Sequence, residues 1–159
     1  MGRKKWPLLI LVCLLIGSGG AFLYLKKLTF LRLENLDHGR TIRLRIDPSE
    51  PFSIFYVHSI YQEPVFEEFQ AEGETIVLKG VRTKSPAVME YYGFEDMREF
   101  HPVNRRLKAI TLKSGTGEGQ GLIFGERKIY LRDYGEKGDR IRLSLESIPM
   151  GEYLRKELM

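Results

Sequence analysis

The chain has a single cysteine, Cys13, among its 159 residues. One cysteine excludes an intramolecular disulfide and any zinc site built from several thiolates. The three histidines, His38, His58 and His101, are scattered, and no two of them have the short spacing that is typical of metal-binding pairs. We therefore expect no metal site and no cofactor. An exported domain of this composition must be stabilised by its hydrophobic core alone.

Charge is absent from the twenty residues between Trp6 and Leu25, which are mostly apolar and include Cys13. An uncharged apolar run of about 20 residues has the length of a helix that spans the hydrocarbon core of a bilayer. Trp6 and Tyr24 lie near its two ends, where aromatic side chains favour the membrane interface. We therefore expect residues 6–25 to contact membrane lipid as one transmembrane helix, with residues 1–27 acting as an N-terminal anchor.

The same segment also fits a cleavable signal peptide. Residues 8–16 form a short apolar run, and small residues follow it, with Gly19 and Ala21 at positions suited to a cleavage site. The apolar run continues over residues 22–25, which favours a retained anchor. Both alternatives export the rest of the chain, so we expect a protein of the cytoplasmic (inner) membrane whose domain faces the periplasm or cell exterior.

An excess of positive charge on the folded part of the chain is also lacking. The formal net charge is +4, but five basic residues flank the apolar run: Arg3, Lys4, Lys5, Lys26 and Lys27. Removing these five from the 25 basic residues leaves 20, against 21 acidic residues. A nucleic-acid-binding protein needs its basic excess on the folded surface. The distribution therefore predicts no nucleic-acid partner and places the basic residues at lipid headgroups.

Beyond residue 28 the apolar residues recur mostly with a period of two, which is typical of strands. The alternation is strict over residues 41–46 and 139–145, and further short runs cover 52–59, 65–72, 75–82, 109–113, 122–124 and 128–132. Short strands separated by turn residues predict a mostly β domain over residues 28–159, a single antiparallel sandwich or barrel. We expect a short helix over residues 150–159 and irregular structure over residues 87–103.

Glu67 is the unusual residue of this pattern. It shares a strand face with Val65, Phe69 and Ala71, so a carboxylate interrupts an apolar face. A loop over residues 60–64 would bring His58 nearly opposite Glu67, where cross-strand neighbours interact. Because an unpaired carboxylate is costly to desolvate, Glu67 needs a partner.

Three interpretations of this patch remain open. Glu67 forms a structural pair with His58 or an arginine, or the patch binds a small ligand or cation, or it is catalytic. Adjacent residues of a strand point to opposite faces, so His58 cannot activate Ser59 as a nucleophile. Because the sequence shows no nucleophile–base set and no metal-ligand spacing, we predict, of these three interpretations, a protein that is not an enzyme and has no catalytic residues.

The motifs around His58 resemble the bacterial family called domain of unknown function 1850. Its members have a strand ending in His-Ser-Val/Ile, then a proline, a large apolar residue and one or two glutamates; here residues 58–60 read His-Ser-Ile, and Pro64, Val65 and Glu67-Glu68-Phe69 follow. A second family element, Ser-Gly-Ala-Gly-Met/Leu-Glu, is similar to residues 85–90, Ser-Pro-Ala-Val-Met-Glu, where both glycines are replaced. The resemblance covers roughly residues 40–145.

The resemblance implies a small exported β domain, often encoded beside the fused permease of tripartite ATP-independent periplasmic (TRAP) transporters. The sequence thus predicts a membrane-tethered, extracytoplasmic accessory domain that is associated with a TRAP-type solute uptake system, with a transporter membrane protein as its partner. The alternative is an exported β domain that binds a small ligand or cation on its own. The expected contact patch consists of His58, Ser59, Glu63, Glu67 and Glu90.

Overall fold

A computed structural model of the chain describes residues 6–96, 98–115 and 119–157, and these residues form ten strands, three α-helices and one 3-10 turn. In chain order the elements are α1 (Trp6–Leu25), β1 (Lys27–Asn35), β2 (Thr41–Ile46), β3 (Phe52–Val57), β4 (Pro64–Glu72), β5 (Thr75–Arg82), α2 (Pro86–Tyr91), β6 (Phe100–Leu107), β7 (Ala109–Lys113), β8 (Gln120–Phe124), β9 (Arg127–Tyr130), the 3-10 turn (Leu131–Asp133), β10 (Arg140–Pro149) and α3 (Met150–Glu157). Arg3, Lys4 and Lys5, which we expect at lipid headgroups, lie outside the described residues.

The strands form two antiparallel sheets, so the prediction of a mostly β, sandwich-like domain is confirmed. One sheet has the strand order β2-β1-β10-β7 and the other has the order β6-β5-β4-β3-β8-β9. The hairpin formed by β3 and β4 lies in the middle of the larger sheet, between β5 and β8. This hairpin carries Glu67 and ends next to His58.

The two sheets share one hydrophobic core between them. Alternate residues of β10, Ile141, Leu143 and Leu145, are buried there, as the strict period of two predicts. From the larger sheet Phe52 and Phe69 meet in this core with ring centroids 5.4 Å apart. Burying one such side chain contributes roughly 1.5–3 kcal/mol.

Residues 87–103, for which we expect irregular structure, include most of α2 and the first part of β6, and only residues 92–96 and 98–99 between them are irregular. The prediction was wrong at both ends of the range, and at α2 it overlooked a helix start. The Ser85 hydroxyl accepts a hydrogen bond from the Val88 amide (3.4 Å), and Pro86 begins the helix, where its missing N–H costs nothing. The buried Val88 then anchors this short helix against the sheet. β1 was also absent from the predicted strands.

The chain divides into two compact units, residues 30–146 and the two chain ends, residues 1–29 with 147–159. The second unit contains α1 and α3, and α3 confirms the expected C-terminal helix. Over residues 6–96, 98–115 and 119–157, no helix is both long and apolar enough to cross a membrane.

Candidate functional site

The site begins at the tight turn between β3 and β4. The His58 amide donates a hydrogen bond to the Glu63 carbonyl (2.8 Å), and the Gln62 amide donates to the His58 carbonyl (2.8 Å). Gln62 has a φ of 54°, the left-handed region that favours glycine. Its side-chain amide donates to the Ser59 carbonyl (2.7 Å), which holds the turn in this strained conformation.

The register of the hairpin overturns the expected pairing of His58 with Glu67. Glu67 lies opposite Ile54 on one side and Val81 on the other, whereas His58 lies beyond the end of β3 and faces Glu63. The sequence-based prediction placed the loop at residues 60–64. Because the turn instead closes between residues 58 and 63, the pairing shifts and takes Glu67 away from the imidazole.

The His58 ring is buried in an aromatic cluster. It stacks on Tyr61 with centroids 5.2 Å apart and meets the edge of Tyr91, from α2, at 4.9 Å. Nδ1 accepts a long hydrogen bond from the Tyr61 amide (3.4 Å). His58 therefore joins the β3–β4 turn to α2 through ring packing.

Glu67 has two tyrosines as its neighbours. The Tyr56 hydroxyl donates a hydrogen bond to Glu67 Oε1 (3.1 Å), and the hydroxyls of Tyr56 and Tyr92 are hydrogen-bonded to each other. Tyr56 lies opposite Val65, and from there its hydroxyl reaches Glu67 diagonally across the hairpin. We call Tyr56, Glu67 and Tyr92 the tyrosine–glutamate cluster.

Apolar walls surround this cluster. Tyr56 and Tyr92 pack against the buried core residues Val65, Val81 and Val88, together with two half-buried neighbours, Phe94 and Val103. Burial raises the pKa of the Glu67 carboxyl above its ordinary value, and the hydrogen bond from Tyr56 partly opposes that rise. Burial, with Tyr92 and Glu67 nearby, raises the pKa of the Tyr56 hydroxyl, so this hydroxyl stays protonated as a donor.

The other predicted contact residues lie on the surface near the turn and α2. Ser59 and Glu63 are exposed in the turn, and Glu90 is exposed on α2. The turn uses the backbone carbonyls of Ser59 and Glu63, not their side chains. Among the described residues, none of these three side chains makes a hydrogen bond or an ion pair, so they are available to a partner.

Sequence reasoning missed the tyrosines. Tyr56 was not among the predicted contact residues, and Tyr91 and Tyr92 lie in a segment expected to be irregular. The signal was the Tyr-Tyr pair directly after Glu90, since tyrosine combines an apolar ring with a polar tip and is enriched at contact surfaces.

Exposed apolar side chains lie next to the buried His58 along the chain and on α2. Ile60 is 67% exposed and Tyr91 62%, and Val57 and Tyr61 are also exposed. We call these four residues the aromatic rim. Aromatic and large aliphatic side chains gathered on one surface are characteristic of binding sites.

The chemistry of the site is suited to binding. The Glu67 carboxylate lies beside the phenols of Tyr56 and Tyr92. The exposed carboxylates of Glu63 and Glu90 lie near the aromatic rim. Within the part of the chain that the structure describes, no group of three or more His, Cys, Asp or Glu side chains is arranged to hold a metal ion. Comparisons with protein-family models, with curated proteins and with solved structures each found no match.

Proposed function

We propose that this protein is an accessory domain that is attached to a membrane through α1 and binds a membrane protein partner with the surface formed by the β3–β4 turn and α2. The β domain faces the extracytoplasmic side, and the partner is a component of a TRAP-type solute uptake system. The resemblance of residues 58–69 and 85–90 to the domain of unknown function 1850 supports this choice of partner.

The observation that carries the proposal is the uncovered apolar surface of α1. Leu9 is 66% exposed and Leu14 65%, on a helix without a charged residue. Among the described side chains of α1 only Leu23 is partly covered. A helix that is apolar on every face is stable only where something apolar surrounds it, and a lipid bilayer meets that requirement.

The aromatic rim supports the second half of the proposal. The segments that carry it, residues 52–69 and 86–96, contain several acidic residues and no lysine or arginine. Glu63 and Glu90 are exposed there beside Ile60 and Tyr91. A partner should therefore present an apolar pocket bordered by basic side chains, because complementary charge guides association and fixes orientation.

Attachment is tested by floating membranes from cells that express the full chain. Wild-type protein should float with the membranes and resist extraction with alkaline carbonate. Leu14→Arg should move most of the protein to the soluble fractions, because a charge in the middle of the apolar stretch is costly in lipid. The control is Leu36→Arg, at an exposed leucine of the β1–β2 turn. A wild-type chain that carbonate extracts completely would refute the attachment.

Partner binding is tested with a photo-crosslinking amino acid placed at Ile60 and, as a control, at Leu36. We expect the Ile60 probe to crosslink to a transporter component, and we expect Glu63→Lys with Glu90→Lys to weaken this crosslink. Deletion of the gene should reduce solute uptake. Equal crosslinking yields from the probes at Ile60 and Leu36, together with unchanged solute uptake in the deletion strain, would refute the binding of a transporter partner.

A second candidate function, binding of a small ligand or cation without a transporter partner, is favoured by Glu67. Its carboxylate is partly buried, and it makes no ion pair with any residue in the described ranges. A thermal-shift screen with divalent metals and organic acids tests it. A stabilisation that disappears in Glu67→Gln but persists in Glu68→Gln would support this function, since Glu68 is already paired with Arg82 (2.8 Å). A screen in which no compound gives such a shift would reject it.

A further inference from the structure

The C-terminal helix α3 packs against the end of α1. The Met150 amide donates a hydrogen bond to the Lys26 carbonyl (2.8 Å), which fixes the start of α3 beside the last turn of α1. A Cβ on Gly151 would lie 3.6 Å from Leu23 Cβ, so the backbone of α3 is in close contact with that side chain. At Gly17, Gly19 and Gly20 a Cβ would meet no atom within 4 Å.

This packing joins the two ends of the chain, and both ends carry basic side chains. Lys26 and Lys27 follow α1, and Arg155 and Lys156 lie in the last turn of α3. Lys156 pairs with Glu152 (2.8 Å). Lys26, Lys27 and Arg155 are exposed and make no ion pair within the described residues. We call these four basic residues the basic collar.

Apolar side chains accompany the basic collar. Leu25 is 80% exposed at the end of α1, and Leu154 is 37% exposed on α3. Tyr24 is exposed as well. Basic residues interleaved with tyrosine and leucine, on a short helix with one apolar side, are typical of segments that lie in the headgroup layer of a membrane.

We propose that α3 is an interfacial helix and that the basic collar binds the phosphate groups of anionic phospholipids. The inference rests on the proposed attachment of α1, because Lys26 and Lys27 come directly after that helix. It adds a specific binding partner, a lipid with net negative charge, which the basic collar selects over a zwitterionic lipid. The C-terminal helix thereby becomes a second membrane contact.

The test uses the full chain with Trp6→Phe and Leu154→Trp, so that the only indole reports on α3. The protein is reconstituted into phosphatidylcholine vesicles with or without phosphatidylglycerol, and both kinds contain lipids brominated near the headgroup. We expect strong fluorescence quenching with phosphatidylglycerol, and much weaker quenching without it or at high salt. A second protein, with Trp6→Phe and Leu36→Trp, gives the reference quenching for a position in the β domain.

Charge variants decide whether headgroups are bound. In the Leu154→Trp protein, Arg155→Gln and Lys156→Gln should each reduce the preference for phosphatidylglycerol by roughly fivefold. Lys137→Gln, at an exposed lysine of the β domain, should leave it unchanged.

Three outcomes separate the possibilities. Chain that fails to float with either vesicle refutes attachment through α1. Chain that floats while the indole at position 154 is quenched no more than that at position 36 overturns only the role of α3. Quenching that is the same with and without phosphatidylglycerol, and at low and high salt, contradicts the binding of anionic headgroups.

Discussion

The hydrogen bond from Tyr56 to Glu67 makes a quantitative prediction about stability. Tyr56→Phe removes the hydroxyl and leaves a partly buried carboxylate without its donor (3.1 Å). A hydrogen bond to a charged group contributes about 1.5–3 kcal/mol, and one between neutral groups about 0.5–1.5 kcal/mol. We therefore expect Tyr56→Phe to lower the free energy of unfolding at pH 7.5 by about 2 kcal/mol, and by about 1 kcal/mol in a Glu67→Gln background.

The way this loss of stability changes with pH identifies Glu67 as its cause. Burial raises the pKa of Glu67 in the folded protein, so between its unfolded and folded values the folded state binds more protons. The contribution of Glu67 to stability therefore increases as pH falls through that window. Tyr56→Phe removes the hydrogen bond that lowers this pKa, so the variant should regain stability relative to wild type on acidification. Other acids titrate in both proteins and cancel in the difference.

The assay is urea unfolding of the full chain in a mild detergent, followed by near-ultraviolet circular dichroism of the tyrosines. Fluorescence of Trp6 is unsuitable because the single tryptophan lies in α1. The four proteins of the cycle are wild type, Tyr56→Phe, Glu67→Gln and the double variant, each measured at pH 7.5 and pH 4.0. Equal effects of Tyr56→Phe in both backgrounds and at both pH values would show that the hydroxyl and the carboxylate are not coupled.

Two further predictions concern other parts of the β domain. Gly121→Ala should lower the free energy of unfolding by about 1–3 kcal/mol, because a Cβ there would clash with the backbone carbonyl of Ile129 and lie 2.7 Å from the ring of Phe55; Gly119→Ala, where a Cβ has room, should stay near wild type in the same urea titration. Asp139→Asn should lower the melting temperature at neutral pH, because the side-chain amide of Asn35 donates to this carboxylate (2.8 Å) and holds its pKa below the ordinary value. That contribution is present above the unfolded pKa and is lost as pH falls through the folded one, so wild type and Asp139→Asn should converge in acid.

Strands that lie between clear turn residues were predictable from the sequence. β2 and β5 begin and end where the period of two places them, because turn residues such as Gly73, with its φ of 63°, bound the alternating runs. β1 was missed since it directly follows α1 and has no turn in front of it. α2 was missed because six residues are too few for a helical period, and tertiary packing of Val88 stabilises it.

The location of the candidate site was predictable from the sequence, but the partner of Glu67 was not. The unusual carboxylate, Glu67, was identified from the face it shares, and its need for a partner followed from the cost of desolvation. The identity of that partner depends on the register of the hairpin. The residue in the left-handed region of the turn is Gln62 and not a glycine, so the sequence does not show where the turn closes. The partner is therefore Tyr56, not His58.

The most direct test of membrane attachment uses the only cysteine of the chain. Cys13 is exposed in α1, so the protein itself does not shield its thiol. Purified wild-type chain in phosphatidylcholine vesicles is treated with a water-soluble maleimide before and after addition of a denaturing detergent. The account predicts that Cys13 is protected in the vesicles and labelled fully once the detergent removes the lipid. Labelling in intact vesicles to the same extent as in detergent would contradict it.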